Sequence, residues 1–375
     1  MLLGALTLCF LVQLYFYVRY LLAPARKIRR DRKSSTSNLQ SSFPETPPVS
    51  VILCAHNESD NLSAYLQALL LQDYPEYEVI VVDDGSEDNS REIVEAYMVR
   101  DPRLHLTFVP SGARVQSTKK LAITLAAKAA QYDYLLLTDA DCVPESPHWI
   151  ASMMAGFKNP QTQIVLGFGA YFSEPKHINR LVQHDTLFNG LHYLGAALCG
   201  HPYMGVGRNL AYRKSFFFES GGFTHLMTNR AGDDDLFVNH VATRANTEVV
   251  VLPESYTWSP AKKSLKEWLL QKRRHLSVSH AYRTETKFRL SIEPMTRGLF
   301  YMLFIAALVY YQLSLYALVA LGIFLLRWIL QTTVLNLSAR RMGLKRLNPF
   351  SILWFDIALP LINLWMLIIP KKYKW

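Results

Sequence analysis

The sequence predicts an α/β fold, with a mostly parallel sheet, carried between transmembrane helices at its two ends. Three observations predict it. Between Val49 and Asp141, short continuous apolar runs alternate with helix-periodic segments, the pattern of parallel strands covered on both faces. Those runs end in polar or acidic residues, at Glu58, Asp83/Asp84 and Asp139/Asp141, where open α/β sheets bind ligands. Outside this region lie long stretches almost without charge: Met1–Leu22, Gly298–Leu337 with only Arg327, and Pro349–Pro370 with only Asp356.

The elements follow in chain order. Met1–Leu22 is apolar enough for one span. Its positive charge follows the apolar run and no small-residue cleavage site comes after it, so it reads as an uncleaved anchor. The basic block "RKIRRDRK", Arg26–Lys33, then puts the next domain on the cytoplasmic face of the cell (inner) membrane by the positive-inside rule. Residues 23–48 read as a basic flexible linker, ending in the Ser/Thr/Pro-rich "SSTSNLQSSFPETPP". "VSVILCA" is a β-branched strand followed by the polar loop "HNESDN", and "LSAYLQALLLQ" is a helix. "YEVIVVDDGS" is the next strand, "SREIVEAYM" a helix and "LHLTFVP" a strand. An Ala-rich helix, "KKLAITLAAKAA", precedes the strand "YDYLLLTDAD". Residues 49–260 form the globular domain. Residues 261–297 include "SPAKKSLKEWLLQKRRHLSVSHAYR", a basic amphipathic segment suited to a membrane interface; an ordinary surface helix is the competing reading. Residues 298–375 hold two or three spans. A buried core helix is the competing reading of each apolar stretch. Four spans would leave "KKYKW" outside, against the positive-inside rule, so Asp356 and Pro360 suggest a re-entrant or interfacial last segment.

The net charge of +10 suits an anionic lipid surface. The basic residues flank hydrophobic spans, which argues against nucleic acid as the partner. The four cysteines show neither metal-ligand spacing nor a disulfide framework. The first strand lacks a Gly-rich dinucleotide fingerprint, which excludes an NAD-dependent enzyme.

Two carboxylates at i and i+2 on a turn can share one hard cation, and Mg²⁺ or Mn²⁺ is usually held by one or two carboxylates plus substrate phosphates. Asp139 and Asp141 have that spacing. The pair alone also reads as a cap of the turn before Val143. Motifs in series carry more weight. "VSVILCAHNESDNL", "YEVIVVDDGSEDNS", "TKKLAITLA", "YLLLTDADCVP", "GVGRNLAYRK", "GDDDLF" and "QKRRH" occur in this order. Together they resemble the family 2 glycosyltransferases of GT-A fold, from about Val49 to Arg283. "QKRRH" is similar to the Q-x-x-R-W motif of the cellulose, hyaluronan and poly-N-acetylglucosamine synthases, with His275 in place of the tryptophan.

The resemblance implies roles residue by residue. Glu58 and Asp84 would contact the nucleoside, with Ala55 and His56 lining the same pocket. Lys119, or its neighbour Lys120, would neutralise diphosphate. Asp139 and Asp141 would hold Mn²⁺ or Mg²⁺. Arg208 and Asn209, in a turn opened by Gly205 and Gly207, would order donor or acceptor sugar; a purely structural turn is the alternative. Asp233 would be the general base, Asp234 the neighbouring possibility and Asp235 a secondary acid, although Gly232 stands where the family has a glutamate. Gln271, Arg274 and His275 would lie on the acceptor and diphosphate side, and the missing tryptophan bears on processivity. The implied activity is inverting transfer from a nucleotide sugar, a UDP-sugar in the first instance, to a lipid or glycan acceptor. The alternatives are a processive polysaccharide synthase with an export channel and a non-catalytic membrane scaffold or nucleotide-sugar sensor.

Overall fold

The computed structural model describes residues 1–37, 46–110, 112, 115, 117–229 and 231–368. Helix α1 (Leu2–Phe16) continues through a π-helical turn, Tyr17–Leu21, into α2 (Ala23–Ser37). The region expected to be a flexible linker is thus helical as far as Ser37, and residues 38–45 of it fall outside the described residues. The reason is tertiary. Ala25 and Ile28 lie three apart on one face and are fully buried, while the basic residues between and beyond them stay at the surface. Lys27 and Asp31 pair across one turn at 3.4 Å. The π-helical turn packs on α7, described below, so closely that a Cβ on Gly195 would lie 2.1 Å from the Tyr20 carbonyl oxygen.

The globular part opens with β1 (Val49–Ala55), α3 (Ser59–Leu70), β2 (Tyr77–Asp83), α4 (Ser90–Met98), β3 (Leu104–Phe108), α5 (Thr118–Ala129) and β4 (Tyr134–Asp139). It continues with β5 (Val143–Pro144), α6 (Trp149–Met154), β6 (Ile164–Leu166), β7 (Gly169–Tyr171) and α7 (His177–Leu198). Then come β8 (Leu210–Arg213), α8 (Lys214–Glu219), α9 (Asp235–Val241), β9 (Thr247–Val249) and β10 (Thr257–Ser259). The main sheet has the order β3-β2-β1-β4-β8-β6-β9. Strands β1 to β4 are parallel, β8 runs antiparallel between β4 and β6, and β9 is parallel to β6. A small sheet, β5-β10-β7, stands beside it. Alternation along β1 explains the two cores: Val49, Val51 and Leu53 pack with α3 and α6, while Ile52 faces α5 and α7.

After the domain come α10 (Leu265–Val278), α11 (Thr284–Tyr311), α12 (Leu315–Arg341) and α13 (Pro349–Ile368). Among the described residues, four helices, Leu2–Lys33, Thr284–Tyr311, Leu315–Arg341 and Pro349–Met366, are long and apolar enough to cross a membrane. Helix α11 runs unbroken through position 297, so the expected boundary between interface helices and membrane region falls inside one helix. Pro360 does not interrupt α13, and the "KKYKW" tail lies outside the described residues. Asp356 is buried for a reason absent from its own segment. Its oxygens accept from Arg297 at 3.0 Å, Arg327 at 2.8 Å and Gln331 at 2.7 Å. Gln13 of α1 closes the knot by accepting from Arg327 at 3.2 Å, so one polar cluster joins all four apolar helices.

Candidate active site

The carboxyl ends of β1, β2 and β4 come together. The loops after β1 and β2 clasp each other: Asp84 N–H donates to the Ala55 carbonyl at 2.8 Å, His56 Nδ1 lies 2.8 Å from the Asp84 carbonyl, and Asn57 N–H donates to Ser86 Oγ at 3.0 Å. Asn57 reaches this turn with a φ of 56°, a left-handed conformation that asparagine tolerates. Glu58 follows at the start of α3, where its backbone N–H donates to Ser90 Oγ at 2.9 Å. Ala55, His56, Glu58 and Asp84 therefore share one rim.

At the end of β4, Lys119 of α5 bridges two acids. Its Nζ lies 2.8 Å from Asp139 Oδ1 and 3.4 Å from Asp233 Oδ2. This brings the strand-end aspartate and the Gly232–Asp235 cluster into one cleft of ≈ 530 Å³, which Asp141, Arg208, Gln271, Arg274 and His275 also line. Burial pushes the Asp139 carboxyl upward, but Lys119 outweighs it and the net shift is downward. Burial together with Asp139 raises Asp141, and Arg208 and Lys262 only partly offset the rise.

Residues 50–221 match the family described as Glycosyl transferase family 2. The chain carries a family 2 glycosyltransferase domain. Its relatives include the poly-beta-1,6-N-acetyl-D-glucosamine synthase of Staphylococcus epidermidis, 31% identical over 34% of this chain and 30% of the synthase. The chondroitin synthase of Escherichia coli is 25% identical over 50% of this chain and 31% of that protein. The chain thus spans about a third of the length of these relatives. A solved structure, the mannosyltransferase PcManGT from Pyrobaculum calidifontis in complex with GDP-Man and Mn²⁺, superposes with a TM-score of 0.53 at 19% identity. It covers 90% of this chain and 99% of that one, a likeness of fold that includes the GT-A core.

Within the family 2 domain, the two adjacent lysines part company. Lys120 is fully buried, and its Nζ donates to the carbonyls of Leu226, Asn229 and Ala231 at 2.8, 2.6 and 2.8 Å. It ties down the segment that leads into the acidic cluster, while Lys119 alone faces the cleft. The three aspartates divide in the same way. Asp234 accepts from Gly207 N–H at 2.7 Å and from Asp235 N–H at 2.8 Å, and caps α9. Asp235 is buried, accepts from the Tyr282 hydroxyl at 3.0 Å, and burial and Asp234 push it up to about 8. Asp233 keeps a carboxylate oxygen toward Lys119.

Arg208 is fixed by the carbonyls of Ala170 and Gly169 at 3.0 Å and by Ser259 Oγ, with its guanidinium 4.2 Å from the Tyr171 ring centre. Gln271 of α10 donates to the Tyr171 hydroxyl at 2.9 Å. Tyr171 thus joins the two sides of the cleft. It lies on a three-residue strand with no period or motif to single it out. Asn209 does not line the cleft. It is wholly buried, accepts from Trp149 Nε1 at 3.1 Å and donates to the carbonyls of Phe168 and Ser255. Its side chain is used up in holding β8 to the core, so the expectation that it orders a sugar is corrected.

The strand end suits a divalent cation. Ligand atoms of Asp139, Asp141 and Cys142 lie within 4.8 Å of one another. Burial, with Asp139 and Asp141 nearby, pushes the Cys142 thiol up to about 12, and it donates toward Asp141 at 3.4 Å and lies 3.1 Å from Ser259 Oγ. Two carboxylates then remain as oxygen donors for a hard ion.

Proposed function

We propose that this protein transfers a sugar from a nucleotide sugar, with a UDP-sugar as the first candidate, to a hydroxyl of a lipid-linked or glycan acceptor, with inversion at the anomeric carbon. The observation that carries this reading is the Lys119 bridge. It holds Asp233 and Asp139 on either side of one ammonium, at 3.4 and 2.8 Å, so a candidate base and a phosphate-facing acid share one cleft.

Asp233 accepts the proton of the acceptor hydroxyl, as a base within reach of that oxygen must. The nucleoside rests on the rim of Ala55, His56, Glu58 and Asp84. Lys119, Arg208 and Arg274 supply positive charge along the diphosphate, where charge develops as the bond to the sugar breaks. Asp139 and Asp141 would hold Mn²⁺ or Mg²⁺, which when bound would supply Lewis-acid stabilisation of the leaving diphosphate. Gln271 and His275 of α10 border the acceptor. The Mn²⁺ and GDP-Man named with the PcManGT structure are consistent with this arrangement. The cleft would face the cytoplasmic side of the cell membrane, beneath helices that cross it more than once.

The names of the polymer synthases among the relatives support a processive variant, and a cavity of ≈ 290 Å³ that continues from Arg208 and Gln271 past Trp268 favours it. The test is purified protein with a panel of nucleotide sugars, Mn²⁺ and a membrane extract, followed by mass spectrometry of the products. Transfer abolished in Asp233→Asn is expected, and product length separates single from repeated addition. No transfer or hydrolysis of any donor would refute the reading, and a non-catalytic scaffold would then account for the fold.

A further inference from the structure

A second cavity, of ≈ 690 Å³, lies on the membrane side of the domain. One wall is α1, through Leu11, Val12, Tyr15 and Phe16, faced by Leu290 and Ile292 of α11. These helices are two of the four long and apolar enough to cross a membrane. Arg244, Arg283 and Arg289 also line the cavity, with His201, against the carboxylate of Glu285. Arg289 pairs with that carboxylate at 2.7 Å, and Arg283 donates to the Ala242 carbonyl at 3.3 Å. The Arg244 stem lies against Gly200, whose φ is +87° and where a Cβ would come within 2.9 Å of Arg244 Cδ. Glycine there leaves the arginine its place in the wall.

Two chemistries meet in this space. A free phosphate would leave the α1 wall unfilled, and a neutral lipid would leave the surplus of guanidinium charge unmatched. We propose that the cavity binds an anionic membrane phospholipid, its chain against α1 and α11 and its phosphate beside Arg244, Arg283 and Arg289. Tyr203 and Leu290 line both this cavity and the ≈ 290 Å³ one that reaches Asp234 and Asp235. None of the described residues that line this cavity lines the ≈ 530 Å³ cleft, so this lipid is a bound ligand of the fold and not the sugar acceptor. It nevertheless packs on the carriers of the acidic cluster. The Tyr203 ring meets Tyr282 edge-on at 6.3 Å, and Tyr282 donates to Asp235.

The test uses the full chain in nanodiscs of phosphatidylcholine with a minor fraction of phosphatidylglycerol, and native mass spectrometry to count the lipids retained after extraction. Preferential retention of one phosphatidylglycerol is expected. An Arg244→Gln/Arg289→Gln variant lowers that retention by roughly tenfold, from the loss of two cations beside an anionic headgroup. Leu11→Trp, which fills the apolar end and leaves every charge in place, lowers it as well and serves should the arginine variant fail to fold. Equal retention of the two lipids by the unaltered protein, or retention unchanged in the variants, would overturn the proposal. So would displacement by millimolar inorganic phosphate, which would mark a free-anion site. Retention is read without nucleotide sugar, so its failure leaves the proposed transfer untouched, and a failed transfer assay leaves the lipid site untouched.

Discussion

Lys119 and Lys120 are neighbours in sequence with opposite duties, and replacing each by methionine separates them. Lys120→Met keeps the stem and removes an ammonium that three buried carbonyls accept, those of Leu226, Asn229 and Ala231. An unpaired buried acceptor costs about 1 kcal/mol or more. Part of the sum returns because the charged group no longer has to be desolvated. A net loss of ~2–3 kcal/mol follows, enough to lower the melting temperature by several degrees. Lys119→Met removes a side chain that is 40% exposed and bridges Asp139 and Asp233. Such an ion pair contributes at most ~1 kcal/mol to stability, so melting should barely move. The rate should fall by roughly 10²–10³, because the cation that meets the diphosphate is gone. Differential scanning fluorimetry in detergent gives the first quantity and release of nucleoside diphosphate gives the second. A Lys120→Met protein that melts like the unaltered one, or a Lys119→Met protein whose rate is within about threefold of it, would refute the division of labour.

Three further outcomes follow from the same geometry. Asp141→Asn removes one oxygen donor from the β4 end, and the Mn²⁺ concentration for half-maximal rate should rise at least about tenfold; an unchanged titration would place the ion elsewhere. Asp356→Asn leaves Arg327 without its buried counter-charge and Arg297 with Glu293 alone, a loss of roughly 3 kcal/mol to be read as a lower melting temperature in detergent. Asp235 titrates near 8 when folded against ~3.9 unfolded. Its contribution to stability is full below the lower value, declines with rising pH and is lost through the upper one. Asp235→Asn, neutral at every pH, should therefore flatten the fall in stability between about pH 4 and about pH 8, and a profile parallel to that of the unaltered protein would contradict the assignment.

The part of the fold legible in the sequence is the part whose signal is local. Strands β1, β2 and β4 are continuous apolar runs, because a parallel strand buried on both faces has no polar side to show, and each carries its ligand-facing acid within a few residues of its end. Helix α2 was illegible for the opposite reason. Its composition is that of a solvated linker, and only burial of Ala25 and Ile28 against distant elements makes it a helix. Arg327 and Asp356 were visible as lone opposite charges in two apolar stretches, and opposite charges in such surroundings are best paired. What the sequence lacked was the register that also brings Arg297, Gln331 and Gln13 to them.

The acidic cluster shows where the limit falls. Asp233, Asp234 and Asp235 are chemically identical and adjacent, so composition and spacing cannot rank them. Direction ranks them, since successive side chains at a helix start leave the backbone at different angles. One points at Gly207 N–H and closes the cap, and the next turns inward to Tyr282. The first meets Lys119. Asp234 has both carboxylate oxygens committed to backbone N–H groups, Oδ2 to Gly207 and Oδ1 to Asp235, so its geometry is spent on the cap, and Asp235, which burial keeps protonated near neutrality, is no base at all. Asp233 is left, and it is also the residue that the family register selects. The two arguments share no premise: one counts residues to Leu236, the other follows hydrogen bonds. An Asp233→Asn variant that kept its rate would therefore break both, while one that lost it with unchanged melting would leave Asp234 and Asp235 as parts of the scaffold that aims the base.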